Sequence, residues 1–185
     1  MRRLDVKLRF AVLVFLAGLL LAACKDGDDQ PRWAFDYDFE SDAELDRFVW
    51  RCGEVFERSQ DFATHGDYSL RIELKNGPDP GLKPTQFPKD WSTFSMLHFD
   101  VMNPGDDSVR IYLKIADRRE TQYEQRVEVP LELAPGARHF AIALDSLRYT
   151  TGNGIFEREH VGLFKIYAAQ PKEKIVLYFD RLYLE

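Results

Sequence analysis

The sequence predicts an all-β domain, a sandwich of two antiparallel sheets that follows an apolar amino-terminal signal helix. Apolar and polar side chains alternate with a period of two from residue 33 to the end of the chain, and helical spacing is nearly absent. Gly, Pro and Asn clusters separate the alternating runs. Sheets with one buried and one wet face produce this alternation, and two such sheets pack on their apolar faces. At 185 residues the chain is long enough for one such domain.

The first 23 residues have the pattern of a signal peptide. Residues 1–9 are basic, and residues 10–23 form an uninterrupted apolar run that is shorter than the roughly 20 residues of a membrane-spanning helix. The sequence Leu21-Ala22-Ala23-Cys24 resembles the lipobox of bacterial lipoproteins. That resemblance implies lipidation of the Cys24 thiol and a stable membrane anchor.

The same resemblance implies a location in the bacterial cell envelope, and Lys25 after the cysteine favours the outer membrane. Two alternatives remain open: a plain secretory signal, or an ordinary amino-terminal anchor helix. If Cys24 is not lipidated, it could form a disulfide with Cys52 in an oxidising compartment.

A short polar segment, residues 24–32, contains Gly27 and Pro31 and predicts a flexible lipidated tether. Residues 33–185 then form the predicted domain. Without residues 1–23, which carry four basic residues and one acidic residue, the chain has 21 basic and 30 acidic residues and a net charge of −9. Such a surface argues against a nucleic-acid partner.

About nine strands are expected, and six runs show the alternation most clearly. Their apolar residues are Tyr68, Leu70, Ile72 and Leu74; Leu97, Phe99 and Val101; Val109, Ile111, Leu113 and Ile115; Val127, Val129, Leu131 and Leu133; Phe140, Ile142 and Leu144; and Ile175, Leu177 and Phe179. Turn residues fall at 76–78, 103–105, 135–136 and 152–154. Short helices are expected around 43–48 and 146–149.

Pairing of 94–102 with 108–117 as a hairpin would place one mixed polar and aromatic face on the outside of a sheet. His98 would then lie opposite Tyr112, and Asp100 opposite Arg110. Tyr123, Gln125 and Tyr167 would extend this patch if their strands are neighbours. Aromatic rings stack on sugar C–H surfaces while polar groups bind hydroxyls, so such a face suits a sugar. The alternative is a solvated sheet face with ordinary cross-strand pairs.

Six stretches in order resemble the jelly-roll carbohydrate-binding modules of the galactose-binding-like superfamily, closest to those of bacterial agarases and galactosidases. They are Phe35-Asp-Tyr-Asp-Phe-Glu40, Ala63-Thr-His-Gly-Asp-Tyr-Ser-Leu70, Asp90-Trp-Ser92 with Leu97-His-Phe-Asp-Val-Met-Asn-Pro104, Leu133-Ala-Pro-Gly136 and Val176-Leu-Tyr-Phe-Asp180. The resemblance implies a jelly-roll fold and sugar binding. Many relatives of this fold bind no sugar.

The resemblance also implies a structural calcium ion. Glu40 and Asp180 would supply carboxylate oxygens, and backbone carbonyls around Gly66 would supply others. Calcium takes six to eight oxygen ligands. The alternative is that the two carboxylates are solvated strand ends or pair with a cation such as Arg181.

The sequence offers little for catalysis. It contains no nucleophile elbow, zinc-protease helix, phosphate loop or dinucleotide fingerprint. Trp50 and Trp91 are expected to pack in the core more readily than to contact a ligand. We therefore predict a non-catalytic, membrane-anchored module that binds a poly- or oligosaccharide. The alternative is an assembly lipoprotein that uses the same sandwich to bind a cell-envelope protein.

Overall fold

Antiparallel strands are the main regular structure in the part of the chain that the computed structural model describes, residues 35–49, 55–75, 77–117, 126–151 and 154–185. Within those ranges the ten strands are β1 (Asp36–Tyr37), β2 (Val55–Ser59), β3 (Ser69–Leu74), β4 (Gly81–Leu82), β5 (Met96–Asn103), β6 (Val109–Ala116), β7 (Arg126–Leu133), β8 (Gly136–Ala143), β9 (Leu163–Tyr167) and β10 (Ile175–Leu184).

The strands form two antiparallel sheets, which confirms the predicted sandwich. The six-stranded sheet has the order β2-β3-β10-β5-β8, with β1 also paired to β10, and the four-stranded sheet has the order β4-β9-β6-β7. The long strand β10 lies between β3 and β5, and its register against β5 shifts between Asp180 and Tyr183. Such a bulge bends a strand and re-aims its side chains.

The core lies between the sheets and is built from the inward residues of each alternating run. Leu97, Phe99 and Val101 of β5 are buried, as are Ile111 and Leu113 of β6, and burying each large apolar side chain contributes roughly 1.5–3 kcal/mol.

Trp91 is fully buried, as predicted. Its Nε1 donates to the carbonyl of Pro88 at 2.8 Å, and its ring meets Phe164 edge-on at 5.7 Å. Trp91 is therefore a core residue, while Trp33 and Trp50 lie outside the described residues.

The predicted hairpin between the segments of β5 and β6 is wrong. Strand β5 pairs with β8 and β10 in one sheet, and β6 pairs with β7 and β9 in the other. At the end of β5, the side chain of Asn103 donates to the carbonyl of Leu133 on β7 at 3.3 Å, so the start of the turn is linked to the opposite sheet. His98 therefore does not face Tyr112, and Asp100 does not face Arg110.

The predicted helix at 43–48 is the 3₁₀ helix Asp42–Arg47, whereas the predicted helix at 146–149 shares only Ser146 with the 3₁₀ helix Leu144–Ser146. A further 3₁₀ helix spans Arg158–His160. The side chain of Ser41 caps the first by accepting from the backbone N–H of Ala43. Across the described ranges, no helix has the length and apolarity needed to span a membrane.

Candidate functional site

Two tyrosines lie side by side on the outer face of the four-stranded sheet. Tyr112 of β6 and Tyr167 of β9 are direct cross-strand partners, and their rings stack with centroids 5.4 Å apart and planes 25° apart. We call the outer surface around Tyr112, Lys114, Glu128, Lys165 and Tyr167 the tyrosine face. Tyr167 is expected to extend the patch only if its strand is a neighbour, and β9 does lie beside β6.

A buried ion pair lies beside the rings. Lys114 is 9% exposed; its Nζ lies 3.1 Å from Glu128 Oε1 and 4.4 Å from the centre of the Tyr167 ring. Asp79 lies on the other side of the same ammonium, 3.6 Å away. The opposite charges offset the cost of removing Lys114 from water, and the aromatic ring adds a cation–π contact.

The hydroxyl of Tyr167 donates to Glu128 Oε1 at 2.9 Å. Burial of the ring, together with the Glu128 carboxylate, raises the pKa of Tyr167 well above its usual value, so the phenol keeps its proton at all physiological pH values. The ammonium, carboxylate and phenol thus hold one another in fixed positions. A preorganised set of this kind loses little conformational entropy when a polar ligand binds.

The edge of the tyrosine face is closed by a tight approach of backbone. Gly81 of β4 pairs with Tyr167, and a side chain at Gly81 would collide with the Ile166 carbonyl and with Tyr167. Lys165 Nζ donates to the Asp79 carbonyl, so a second lysine holds this edge. Glycine is therefore required at position 81 for β4 to reach β9.

Arg110 continues the row of outward residues on β6. It is exposed and forms an ion pair with Glu132 of β7, its direct cross-strand partner. Beyond the other end of β6, the Tyr149 hydroxyl donates to Asp117 Oδ2 at 3.0 Å. The tyrosine face thus combines aromatic surface with charged hydrogen-bonding groups, a combination that is common in binding sites for polar ligands.

The structure separates the predicted sugar-binding residues into two groups. Arg110, Tyr112 and Tyr167 lie on the four-stranded sheet, whereas His98 and Asp100 lie on the outer face of the six-stranded sheet. Tyr123 lies outside the described residues, as does the predicted lipidation site Cys24. Sequence reasoning missed Lys114, Glu128 and Lys165, because nothing in the alternation distinguishes a paired, buried lysine from a solvated one.

The two predicted calcium-binding carboxylates hold one loop from opposite ends. Glu40 Oε1 accepts the N–H groups of Asp67 and Tyr68 at 2.9 and 2.8 Å. Asp180 Oδ2 accepts those of Thr64 and His65 at 2.6 and 2.9 Å. They are thus neither free strand ends nor ion-paired carboxylates in the described contacts.

The backbone around this loop is strained. Gly66 has φ +68°, and a side chain there would overlap the Glu40 carboxylate. Phe39 and Arg181, which adjoin the two carboxylates, also have positive φ values of 58° and 46°. Strain of this kind persists only where the surrounding contacts enforce it, and it concentrates at ligand sites.

The buried carboxyl groups around this loop would be stabilised in their charged form by a cation. Asp180 is 2% exposed, and burial raises its pKa despite the backbone N–H groups that it accepts. Burial and neighbouring carboxylates, Asp38 and Asp180 among them, also raise the pKa of Asp36, whose Oδ1 is buried without a hydrogen bond among the described residues.

Within the described ranges, no group of three or more His, Cys, Asp or Glu side chains is arranged to hold a metal ion. A cation here would therefore take its remaining ligands from backbone carbonyls. Carboxylate and carbonyl oxygens are hard donors, and this donor set fits Ca²⁺.

Solved structures share the fold. The chain matches an exo-β-agarase with a TM-score of 0.62 and 16% identity over 80% of this chain and 25% of that one. It matches a family 11 carbohydrate-binding module from Clostridium thermocellum, in complex with a β-1,3-1,4-mixed-linked tetrasaccharide, with a TM-score of 0.57 and 13% identity over 80% and 92%. It matches a xylan-binding domain of carbohydrate-binding module family 22 with a TM-score of 0.53 and 14% identity, over 82% of this chain and 93% of that one.

No protein-family model and no curated protein sequence matches the chain. At these identities the structural matches establish the fold. The expected resemblance to the jelly-roll carbohydrate-binding modules is confirmed at that level, and the chain spans about a quarter of the length of the agarase.

Proposed function

We propose that the β-sandwich is a non-catalytic glycan-binding module whose binding surface is the tyrosine face. The observation that carries this proposal is the stacked Tyr112–Tyr167 pair with the Lys114–Glu128 ion pair beside it. Supporting it, modules of the same fold are described in complex with a mixed-linked tetrasaccharide and as xylan-binding.

The state of the carboxylates supports a binding role over a catalytic one. Glu128 bonds Lys114 and Tyr167, and Glu132 bonds Arg110. Glycoside hydrolysis needs one carboxyl group as a general acid and a second as a base or nucleophile. Because both carboxylates are neutralised by cations, they serve to position donors, and we expect no reducing ends to be released from a bound polysaccharide.

Affinity electrophoresis through gels containing agarose, mixed-linked glucan or xylan tests the binding. We expect retardation by at least one polysaccharide and at least a tenfold loss of affinity in Tyr112→Ala, which corresponds to about 1.4 kcal/mol. Tyr178→Ala is the matched control, because Tyr178 belongs to β10 of the other sheet. Unretarded wild-type protein across the panel, or equal retardation of Tyr112→Ala and wild type, would contradict the proposal.

We also propose that Cys24 carries a lipid that anchors the module to a membrane of the bacterial cell envelope. The lipobox-like Leu21-Ala22-Ala23-Cys24 after a short apolar run supports this. Metabolic labelling with a radioactive fatty acid should label the wild type and Cys52→Ser but not Cys24→Ser. Labelling of Cys24→Ser, or an unlabelled wild type, would rule the anchor out.

Finally, we propose a structural Ca²⁺ held by Glu40, Asp180 and carbonyls of the loop around Gly66. Its support is the convergence of two carboxylates on one loop, near the Asp36 oxygen that has no hydrogen bond among the described residues. When bound, the ion would supply positive charge that neutralises the buried carboxylates. Glu40 and Asp180 orient the loop through its N–H groups.

A further inference from the structure

Two histidines and two carboxylates form a continuous chain on the outer face of the six-stranded sheet. His139 Nδ1 of β8 lies 2.6 Å from Asp100 Oδ1 of β5, and His139 Nε2 lies 3.1 Å from His98 Nδ1. His98 Nε2 lies 3.1 Å from Glu185 Oε2. We call Asp100, His139, His98 and Glu185 the imidazole chain.

The two rings meet edge to edge. Their centroids are 5.3 Å apart while the facing nitrogens are 3.1 Å apart, so each ring presents one nitrogen to the other and its second nitrogen to a carboxylate. Tyr183 stacks on His98 with centroids 4.7 Å apart. The His98 side chain is 11% exposed and that of His139 is 52% exposed, so protons reach the pair from the side of His139.

Counting protons decides the charge of this chain. The hydrogen bonds between the carboxylate and His139 and between His139 and His98 each need one proton. The contact of His98 Nε2 with Glu185 has the distance of an ion pair without the geometry of a hydrogen bond, and it is attractive only when His98 Nε2 also carries a proton. Two neutral imidazoles supply only two, which would leave a bare nitrogen of His98 against the Glu185 carboxylate. Two imidazolium ions supply four, which would set two N–H groups against each other. Three protons, and thus one positive charge on the pair, satisfy every contact.

We propose that His98 and His139 together carry a single positive charge and form a pH-operated latch between β5 and β8, which opens when a further proton gives the pair a second positive charge. Strand β8 is the last strand in the order of its sheet, and this latch is a side-chain link across the β5–β8 pairing. Opening would turn the exposed His139 away from His98. This function is separate from the tyrosine face, which lies on the other sheet.

The groups around the pair determine the direction of the pH effect. Asp100 faces it from β5, and Arg181, Tyr183 and Glu185 face it from β10 and the residue after it. Burial, and then the positive charge on His139, lower the pKa of His98, and Arg181 acts in the same direction while Glu185 opposes them. The pKa for uptake of the further proton by His98 is therefore lowered, so the stability linked to this step is fully present above the ordinary value of about 6.5 and is lost as pH falls from there towards the lowered pKa.

The test combines NMR with thermal unfolding of the full-length chain in detergent. Nitrogen-15 shifts of the ring nitrogens at pH 7 should show three protonated nitrogens among the four of the pair. Between pH 7 and pH 4.5 the Tm of the wild type should fall by about 3 °C or more beyond the fall in the Tm of His139→Gln. The reason is that glutamine keeps a donor and an acceptor but takes up no proton.

His160→Gln is the matched control, since His160 is an exposed histidine of the 3₁₀ helix Arg158–His160, and its Tm should follow the wild type. Two ring protons at pH 7, or the same pH dependence in His139→Gln and wild type, would overturn the proposal. Because none of these readouts uses a glycan, the outcome is independent of whether the tyrosine face binds sugar.

Discussion

Glu44 is a buried carboxyl group in the first 3₁₀ helix, and its surroundings favour the protonated form. Burial is the main cause that raises its pKa to about 7, and the N–H of Phe39, which donates to Glu44 Oε2 at 2.6 Å, opposes that rise. A raised carboxyl pKa means that the folded state holds a proton which the unfolded chain releases. The contribution of Glu44 to stability is therefore full below its ordinary pKa near 4.5 and is lost as pH rises through about 7.

We predict that Glu44→Gln stabilises the protein at pH 8 by roughly 1–3 kcal/mol and leaves stability at pH 4 nearly unchanged. Glutamine stays neutral, and its carbonyl oxygen still accepts from Phe39. Urea unfolding at the two pH values, with a calcium chelator present, measures the difference. Asp46→Asn is the matched control because Asp46 is exposed on the same 3₁₀ helix; parallel pH profiles for Glu44→Gln and wild type would contradict the prediction.

At the scale of single strands, alternation predicts which side chains face inward, but it does not predict which strands pair. The inward residues of β5 and β6 are buried as expected. The pairing failed because any two alternating runs joined by a short turn are compatible with a hairpin. The discriminating contact, from Asn103 to the Leu133 carbonyl, links residues 30 apart in sequence and leaves no local signal.

The same reasoning explains which residues of the candidate sites could be predicted from the sequence. Tyr112 was predictable because it occupies an outward position of a clearly alternating run. Tyr167 belongs to none of those runs, and its place beside Tyr112 follows from the adjacency of β6 and β9, which only the structure shows. The pairing of His98 with His139 was not predictable, because it depends on β8 lying against β5. The period of alternation predicts which residues of one strand share a face, whereas contacts between residues of two strands depend on which strands the topology makes neighbours.

At the scale of the whole molecule, the two outer faces carry different chemistry over one core. The four-stranded sheet carries the tyrosine face, with its lysines and carboxylates. The six-stranded sheet carries the imidazole chain and the loop at 64–68 whose N–H groups bind Glu40 and Asp180. The loop between β2 and β3 is fixed by Glu40, from near the start of the domain, and by Asp180, from near its end. A bound ion that strengthens these contacts would therefore hold together three segments of the domain that are distant in sequence.

We predict that Ca²⁺ raises the Tm of the wild type relative to a chelator and that Asp180→Asn abolishes the increase. A ligand that binds only the folded state adds about 2.7 kcal/mol at one hundred times its Kd, which is about 5–10 °C for a protein of this size. Asparagine keeps an oxygen for the N–H groups of Thr64 and His65 but loses the charge that the ion needs. Calorimetry with Ca²⁺, with Mg²⁺ and with chelator measures the effect.

Asp106→Asn is the control for this measurement, since Asp106 is exposed in the loop that follows β5, and it should respond to Ca²⁺ as the wild type does. The smaller Mg²⁺ demands octahedral geometry and gives up its waters reluctantly, so it should stabilise far less. Identical Tm values in Ca²⁺ and chelator would mean that the N–H groups alone neutralise Glu40 and Asp180. The strain at Phe39 and Arg181 would then be maintained by hydrogen bonds without a metal ion.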